Sequence, residues 1–392
     1  MRILMVTDVY FPRVNGVSTA IQTYREALAG FGIDVSVVAP DYGSVCHEPW
    51  VSRVSARQVP RDPEDRLVRW GAMRSAVNAA VARGCDLIHV QTPFLAHYAG
   101  YGAARRAGLP VIATYHTLFE EYLHHYAPFV PSGWLRSMAR RFSRSQCNAL
   151  NAVIVPSQAI HQRLSDYGVT SPLHILPTGI PVGRFAGDGR EAFRSRHGID
   201  QARPVALYVG RVAHEKNIEF LLDMVSLARE SLPEILLLIA GEGPALTALR
   251  DSVASRGLSA SVQFLGYLDR RSELPDCYAA ADVFTFASRT ETQGLVLLEA
   301  MATGLPVVAL AAMGTIDILG ARRGAMVPED DPAAFALEVV DVLRNEDLRC
   351  CLSREGRDYA DEWSDQTLAG RMADLYRSIH HSSRAAERGM NQ

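Results

Sequence analysis

Short apolar runs and amphipathic stretches alternate along the first half of the chain. Runs rich in Val, Ile and Leu predict β-strands, and apolar residues spaced three and four positions apart predict α-helices. The predicted strands are residues 2–7, 34–39, 87–91, 110–115 and 152–156, and the predicted helices are residues 17–30, 70–83 and 95–107. Strands that alternate with helices indicate an α/β fold with a parallel, doubly wound sheet.

The alternation pauses at residues 178–189, a glycine-rich stretch without periodicity that is typical of an interdomain linker. It then restarts and ends in a last predicted helix at about 365–379. The second set of strands is 205–209, 235–240, 262–265, 283–287 and 306–309, with helices at 218–230, 244–256, 294–303 and 332–344. We therefore predict two domains, residues 1–180 and 181–364, with a ligand in a cleft between their strand ends.

Composition narrows the possible functions. The formal net charge of −3 argues against a dedicated nucleic-acid binder. No apolar run reaches the ~20 residues that span a bilayer, and the first residues reach Arg2 and Asp8 too early for a signal peptide. The six cysteines show no C-x-x-C spacing, which indicates reduced thiols. Together these features predict a cytoplasmic protein.

The loop after the first strand lacks the G-x-G-x-x-G pattern of dinucleotide-binding proteins, which argues against hydride transfer. Its glycine, Gly16, lies at the predicted start of a helix. Backbone N–H groups there can approach an anionic oxygen, and the helix dipole favours that charge. The alternative is that Gly16 only permits a tight turn.

A second loop carries the most unusual cation of the chain. Of the 40 lysine and arginine residues, Lys216 is the single lysine, and it follows Arg211 by five positions. Both come after strand 205–209, at the strand end where α/β sheets bind ligands. Two such cations can converge on a diphosphate and neutralise its charge. A solvated surface loop is the alternative.

Two glutamates eight positions apart follow strand 283–287. Glu291 lies in a loop, and Gly294 opens a helix whose N–H groups can face phosphates. Glu299 falls within that otherwise apolar helix, where a carboxylate needs hydrogen-bond partners such as the hydroxyls of a ribose. The alternative for Glu299 is an ion pair on the exposed face of the helix.

These motifs, in this order, resemble family four of the retaining glycosyltransferases. They are Gly210-Arg211 followed by Lys216, the glutamate pair, and Ala302-Thr303-Gly304-Leu305-Pro306-Val307-Val308. The resemblance covers nearly the whole chain. It implies the glycosyltransferase-B fold, in which two doubly wound Rossmann-like domains face each other across a cleft. In that fold the C-terminal helix, about residues 365–392 here, crosses back onto the N-terminal domain.

The resemblance also implies roles for the site residues, with an acceptor-binding N-terminal domain and a nucleotide-sugar-binding C-terminal domain. Arg211 and Lys216 hold the donor diphosphate, which the Gly16 loop approaches, while Glu299 binds the ribose and Glu291 the transferred sugar. His116 touches the sugar and completes the catalytic set of His116, Arg211, Lys216 and Glu291; by itself it would be interpreted as a hydrogen-bonded histidine at a strand end. The other donor contacts are Thr292, Gln293, Gly294, Leu295 and Val296 around sugar and phosphate, and Gly266 and Leu268 at the base.

The implied reaction needs neither a protein nucleophile nor a metal. The diphosphate leaves on the face that the acceptor attacks and takes the acceptor's proton, so the anomeric configuration is retained. The protein supplies charge and positioning. Because no Asp-x-Asp lies at a predicted donor loop and no His/Cys cluster has ligand spacing, we expect no cofactor besides the nucleotide-sugar substrate.

The acceptor region follows His116. From residue 122 to residue 165 the chain has no acidic residue, and a helix over 134–144 would carry apolar side chains on one side with arginines around them. This pattern is typical of a helix on an anionic bilayer surface, whereas a helix packed on its own domain is the alternative. The candidate acceptor and membrane residues are Tyr122, His124, Trp134, Arg136, Arg140, Arg141 and Arg144.

Two strings narrow the resemblance. His116-Thr117 followed by Tyr122-Leu123-His124, with Thr292-Gln293 after Glu291, looks like the bacterial diacylglycerol glucosyltransferases of the family. These transfer glucose from UDP-glucose to diacylglycerol at the cytoplasmic membrane face. A mannosyl- or other hexosyltransferase acting on a glycolipid or polysaccharide precursor stays open. So do two further classes, a nucleotide-sugar 2-epimerase and a non-catalytic nucleotide-sugar-binding protein.

Overall fold

The structure is a computed structural model that describes residues 1–43, 48–59, 62–116, 132–185 and 189–390. For residues 59, 62–65, 132–136 and 386–390 it describes the backbone alone. The chain divides into two compact units, Met1–Gly179 together with Asp365–Gln392, and Ile180–Ser364. Each unit is built on a parallel sheet with intervening helices, which confirms the doubly wound α/β class.

The first unit contains one parallel sheet of seven strands and a separate antiparallel pair. The strands are β1 (Arg2–Val6), β2 (Asp34–Pro40), β3 (Val51–Val54), β4 (Ala56–Val59), β5 (Asp62–Val68), β6 (Leu87–Val90), β7 (Val111–Thr114), β8 (Ala152–Val155) and β9 (Leu173–Ile175). The sheet order is β3-β2-β1-β6-β7-β8-β9, with β4 and β5 forming the pair. The helices are α1 (Gly16–Leu28), α2 (Trp70–Ala82), α3 (Leu95–Ala107), α4 (Ser132–Cys147) and α5 (Gln158–Asp166).

The last helix, α14 (Asp365–Met390), also belongs to the first unit. Met372, Ala373 and Tyr376 are fully buried on one side of it, in the same core as Tyr24 and Leu28 of α1. The helix therefore returns to the N-terminal unit, as the fold class predicts. Its predicted end near residue 379 is wrong, because the following eleven residues contain no proline to stop the helix.

The second unit contains one parallel sheet of six strands. The strands are β10 (Val205–Val209), β11 (Leu236–Ala240), β12 (Val262–Gly266), β13 (Val283–Phe286), β14 (Val307–Ala309) and β15 (Ala325–Met326), in the order β12-β11-β10-β13-β14-β15. The helices are α6 (Arg190–Arg196), α7 (Ile218–Ala228), α8 (Leu246–Ser255), α9 (Leu274–Ala280), α10 (Leu295–Thr303), α11 (Thr315–Leu319), α12 (Pro332–Arg344) and α13 (Glu346–Glu362). Every residue of β10, β11, β13 and β14 is buried, which explains why these strands are continuous apolar runs.

The strand order of each sheet reverses once. In the second unit the chain moves outward from β10 to β11 and β12 and then returns to the other side of β10 as β13. In the first unit it moves from β1 to β2 and β3 and returns beside β1 as β6. The loops at the C-terminal ends of the two central strands diverge at such a point, which makes it the usual ligand site of an open α/β sheet.

Candidate functional site

The loop after β10 carries both predicted cations of the second unit. A 3-10 turn at His214–Lys216 leads to Asn217, whose φ of 55° is left-handed. The Asn217 amide Nδ2 donates to the carbonyl oxygen of Ala287, directly after β13, at 3.1 Å. This bond connects the loop to the neighbouring strand. Lys216 therefore lies where the strand order of the sheet reverses, which we call the switch point. Arg211 is exposed, and its carbonyl oxygen accepts a hydrogen bond from a buried tyrosine hydroxyl at 3.0 Å.

Lys216 and Glu291 form an ion pair although they are 75 positions apart. The Lys216 Nζ lies 2.5 Å from Oε1 of Glu291, and the two side chains are 16% and 19% exposed. Partial burial makes this contact stronger than an ordinary surface pair, because the local dielectric constant is lower than that of water. The tertiary structure thus joins two residues that the sequence places in different motifs.

A backbone contact holds the Glu291 loop in place. The N–H group of Gly314 donates to the carbonyl oxygen of Glu291 at 2.8 Å. A Cβ atom on Gly314 would lie 2.0 Å from the carbonyl oxygen of Thr292, so a side chain there would displace the loop. Gly314 is a positioning residue that the sequence analysis missed, because nothing local marks its distant partner. Gly294 then precedes α10 with φ of 96°, while Gln293 is buried and Leu295 and Val296 are partly buried.

Glu299 lies inside the second unit and is 2% exposed. Its predicted alternative, an ion pair on the exposed face of the helix, is therefore wrong. Oε1 is paired with the guanidinium of Arg270, and Oε2 accepts a hydrogen bond of 2.9 Å from the Tyr278 hydroxyl. Burial raises the pKa of Tyr278 well above its usual range, so this hydroxyl stays protonated and donates. Neither partner is evident from the sequence, because each lies in another element.

The residues predicted to frame the base lie at the end of β12. Gly266 is the last residue of this strand and has φ of 72°, and its carbonyl oxygen accepts from the Gly241 N–H at 2.8 Å. Leu268 is buried two residues later. Arg270 follows in the same turn, which places the predicted base-framing segment and the partner of Glu299 on one short stretch of chain.

In the first unit, Gly16 is the first residue of α1. The Asn15 side chain accepts from the Ser18 N–H at 2.8 Å and forms the N-cap. Gly16 does not have a left-handed φ, and a Cβ atom on it would meet nothing within 4 Å. Neither turn geometry nor packing requires glycine here, which weakens the tight-turn interpretation.

Two histidines lie at strand ends of the first sheet. His89 is buried, with Nδ1 2.7 Å from the Tyr376 hydroxyl and Nε2 2.8 Å from the Thr114 hydroxyl, and burial lowers its pKa to about 3. His116 is partly buried and its Nε2 donates to Oε1 of Gln91 at 2.8 Å. Burial lowers the pKa of His116 to about 4, so it is neutral at pH 7. Both ring nitrogens of His89 therefore have hydrogen-bond partners inside the first unit.

Asp8, directly after the strand β1 and Thr7, is a partly buried carboxyl at the point where the strand order of the first sheet reverses. Oδ2 accepts 2.7 Å from the Thr92 hydroxyl, and the Ala96 N–H lies 3.1 Å from Oδ1. Burial raises the pKa of Asp8 to about 6, against the effect of these hydrogen bonds. The contacts place Asp8 at the N-terminus of α3, where it stabilises the helix.

The predicted membrane segment forms α4. Tyr122 and His124 lie outside the described residues, and Trp134 and Arg136 lie where only the backbone is described. From residue 137 on, the buried side chains of the helix are small or polar, and Phe142 is partly buried beside them. Ser143 bonds to the Tyr115 hydroxyl at 3.0 Å, and Gln146 donates to the Pro93 carbonyl at 2.6 Å. Exposed side chains are Met138, which is 58% exposed, and Arg140, Arg141 and Arg144.

The described residues contain neither a cluster of metal ligands nor a membrane-spanning helix. No group of three or more His, Cys, Asp or Glu side chains in the described chain could hold a metal ion. No helix in the same residues is long and apolar enough to cross a membrane.

Comparisons with known proteins agree with these motifs. The family model Glycosyltransferase Family 4 matches residues 14–184, and the model Glycosyl transferases group 1 matches residues 189–359. The chain is 34% identical over 321 residues to the alpha-monoglucosyldiacylglycerol synthase of Streptococcus pneumoniae, a match that covers 79% of this chain and 71% of that protein. It is 30% identical over 391 residues to the GDP-mannose-dependent alpha-(1-6)-phosphatidylinositol monomannoside mannosyltransferase of Mycolicibacterium smegmatis, covering 95% and 97%.

A solved structure supports the fold. The sucrose-phosphate synthase of Thermosynechococcus elongatus matches with a TM-score of 0.80 at 22% sequence identity, over 97% of this chain and 100% of that chain. The two family models match successive parts of the chain, residues 14–184 and 189–359. The protein therefore belongs to glycosyltransferase family four and is a glycosyltransferase with the glycosyltransferase-B fold.

Proposed function

We propose that the protein transfers a hexosyl group from a nucleoside diphosphate hexose to a hydroxyl group of a membrane lipid. UDP-glucose and diacylglycerol are the first choice of donor and acceptor. The observation that carries the proposal is the contact of Lys216 with Glu291 at the switch point of the second sheet. A cation beside a carboxylate matches a substrate in which a diphosphate is joined to a ring with several hydroxyls, because the cation binds phosphate oxygens and the carboxylate accepts from hydroxyls.

The second unit binds the donor in this proposal. Arg211 and Lys216 neutralise the diphosphate, Glu291 accepts hydrogen bonds from the sugar, and Glu299 accepts them from the ribose. The residues that complete the donor site are Thr292, Gln293, Gly294, Leu295 and Val296 beside sugar and phosphate, and Gly266 and Leu268 beside the base. Support comes from the position of these residues at the C-terminal ends of β10, β12 and β13, in the loops that follow them or in the helix α10.

The chemistry proceeds with retention. The bond between the anomeric carbon and the diphosphate oxygen breaks, and the diphosphate keeps the electron pair. The acceptor oxygen bonds to the anomeric carbon on the same face, and its proton passes to a diphosphate oxygen. Lys216 and Arg211 stabilise the charge that develops on the leaving group. Neutral His116 supplies a hydrogen bond to a substrate hydroxyl, consistent with its lowered pKa of about 4.

The first unit binds the acceptor, and α4 places it on the membrane. The helix contains four arginines and no acidic residue. Its packed side uses Ser143 and Gln146, which leaves Met138 and three arginines exposed. An apolar side chain among exposed cations favours an anionic lipid surface. The protein would then be peripheral on the cytoplasmic face of the membrane.

A second candidate is a GDP-mannose-dependent mannosyltransferase acting on a phosphatidylinositol glycolipid. It is favoured by the match to the Mycolicibacterium smegmatis enzyme, which covers 95% of this chain. The same site chemistry serves both candidates, because a diphosphate and a hexose are common to both donors.

The test is a transfer assay with a panel of donors. UDP-glucose, UDP-galactose and GDP-mannose are each incubated with anionic vesicles that contain either diacylglycerol or phosphatidylinositol monomannoside. We expect glucosyldiacylglycerol with an α-linkage, and UDP released only when the acceptor lipid is present. A mannolipid from GDP-mannose would favour the second candidate. Isomerised donor or released nucleotide without any lipid product would contradict transfer and favour the epimerase class.

Gly16→Ala separates a ligand role of Gly16 from a structural one. The backbone conformation is ordinary and the space around the position is open, so the fold should tolerate the methyl group. Alanine is also the better helix former. We propose that the N–H groups at Gly16 receive an anionic substrate oxygen, which a Cβ would obstruct. We therefore expect an unchanged or higher melting temperature and a donor KM raised about tenfold or more.

The measurements are thermal unfolding and steady-state kinetics. Gly71→Ala is the matched control, because Gly71 lies in the first turn of α2, is exposed, and a Cβ atom on it would also meet nothing within 4 Å. Equal kinetics for Gly16→Ala and the control would contradict the proposed contact.

Removal of the exposed arginines of α4 should weaken membrane binding. In the triple variant Arg140→Gln, Arg141→Gln and Arg144→Gln, each lost cation removes about 1 kcal/mol of attraction to an anionic surface. We expect half of the protein to pellet with phosphatidylglycerol vesicles only at a lipid concentration about 100-fold higher. The control triple variant is Arg74→Gln, Arg105→Gln and Arg106→Gln, which removes the same charge from exposed positions on α2 and α3. Equal pelleting of the two triple variants would exclude α4 as the membrane contact.

A further inference from the structure

Both carboxylate oxygens of Glu299 have protein partners. Oε1 is paired with Arg270, and Oε2 accepts from the Tyr278 hydroxyl at 2.9 Å. The Glu299 side chain is 2% exposed, so the carboxylate offers almost no free surface to a ligand while both of these bonds are in place. A ribose that binds Glu299, as the proposed function requires, must therefore replace or share one of these two bonds.

The two partners differ in their freedom to move. Tyr278 is 0% exposed and packs in α9 against Phe185 and Phe284 with ring centroids 5.9 and 5.8 Å away. Displacement of this ring would open the core of the unit. The Arg270 side chain is 27% exposed and comes from the turn between β12 and α9. Arg270 is therefore the partner of Glu299 that a ligand hydroxyl can replace.

The backbone of that turn is held in one conformation. Asp269 Oδ1 accepts from the Ser272 N–H at 2.9 Å, from the Ser272 hydroxyl at 2.8 Å and from the Arg271 N–H at 3.0 Å. The Asp269 N–H in turn donates to Oε2 of Glu273 at 3.1 Å. Since these bonds fix the backbone on both sides of Arg270, an exchange at Glu299 needs only a rotation of the Arg270 side chain.

We propose that Arg270 is a positioning residue of the donor site, which holds the Glu299 carboxylate and releases Oε1 to a ribose hydroxyl when a nucleoside diphosphate binds. The inference rests on the proposed function, because it takes the ligand to be a ribonucleotide. The guanidinium competes with the ribose for the same oxygen. The net affinity for the ribose is consequently lower than that of a carboxylate without a cation, and the cation prevents Glu299 from being buried as an isolated charge.

The experiment measures how much the ribose hydroxyls contribute to nucleotide binding. Dissociation constants are determined by calorimetry for UDP and 2′,3′-dideoxy-UDP, and for GDP and 2′,3′-dideoxy-GDP. We compare the dissociation constant of each dideoxynucleotide with that of its ribonucleotide as a ratio. This ratio reports only the contribution of the ribose hydroxyls to binding, because the phosphates and the base are common to both ligands. Arg270→Met removes every hydrogen-bond donor of the guanidinium and keeps an unbranched side chain. Arg271→Met is the matched control, since Arg271 is the adjacent arginine and is exposed.

We expect the ratio to rise about tenfold or more in Arg270→Met, because a hydrogen bond to a carboxylate is no longer offset by the broken ion pair. The ratio in Arg271→Met should equal that of the unmodified protein. Arg270→Met should also unfold at a lower temperature, since Glu299 loses its cation, and UDP should raise that temperature more than it does in the control. If Arg270→Met does not fold, Arg270→Lys provides the test, because an ammonium group holds the carboxylate without the fork of the guanidinium; its ratio should then lie above that of the unmodified protein.

Two results would overturn the inference. An unchanged ratio in Arg270→Met would show that the guanidinium and the ribose do not compete. A lower ratio, with weaker binding of UDP, would show that Arg270 supports the ligand directly. Failure of the proposed function has a different signature, because the unmodified protein would then bind none of the four nucleotides.

Discussion

Lys216→Ala should lower the kcat of glycosyl transfer by at least about 10²–10³-fold while the protein stays folded. The chain has one lysine, and it lies at the switch point of the second sheet, 2.5 Å from Glu291. In the proposed reaction, loss of its charge leaves the departing diphosphate with one cation fewer, at a partly buried position where a charge interaction is stronger than in water. We also expect the dissociation constant of UDP to rise about tenfold or more.

Transfer assays, calorimetry with UDP and circular dichroism check this prediction. Lys216→Arg restores the charge without the compact ammonium group, so we expect it to recover only part of the activity. Arg229→Ala is the control for loss of a cation in the same unit, because Arg229 lies at the C-terminal end of α7, away from the donor loop that precedes this helix, and bonds to the Gly257 carbonyl. Turnover retained in folded Lys216→Ala would remove Lys216 from the site.

Glu291→Gln should separate donor binding from transfer. We expect kcat to fall about 10²–10³-fold, because the amide accepts hydrogen bonds from the sugar more weakly than the carboxylate does. The affinity for UDP, which lacks the sugar, should stay equal or rise. The reason is that Lys216 no longer has to leave a carboxylate at 2.5 Å when it binds the diphosphate.

The opposite effects on kcat and on UDP affinity make this prediction specific. Glu215→Gln is the matched control, because it removes the same charge from the residue beside Lys216, and both constants should be unchanged. If Glu291→Gln weakens UDP binding as much as it weakens transfer, then Glu291 serves mainly to orient Lys216. Taken together, the two variants test whether the ion pair breaks when the donor diphosphate binds.

Regular elements with strong local patterns were predicted well. The continuous apolar runs of β10 and β11 and the start and end of α12 agree with the sequence to within one residue. A buried parallel strand needs apolar side chains on both faces, so its sequence alone identifies it. By contrast, β3, β9 and β15 have four, three and two residues, which are too short to show a period.

The helix α13 shows how packing overrides local preference. It runs from Glu346 to Glu362 and contains Gly356, an unfavourable residue in a helix interior, and the sequence analysis did not predict it. A Cβ atom on Gly356 would lie 3.5 Å from the Cα of Met301 in α10, and one on Gly324 would lie 2.3 Å from the Cα of Gly356. The glycine permits close approach of neighbouring backbones, a requirement that only the folded chain reveals.

The amino-acid sequence by itself determined the α/β class, the family and the identity of the candidate donor residues. It could do so because strand patterns and motif spacings are local and because the motifs keep their order along the chain. Only the tertiary structure decided which charges meet. Lys216 with Glu291, and Glu299 with Arg270 and Tyr278, are pairs separated by 75, 29 and 21 positions. Contacts of this kind depend on how distant loops are brought to one edge of a sheet, and no local pattern records that geometry.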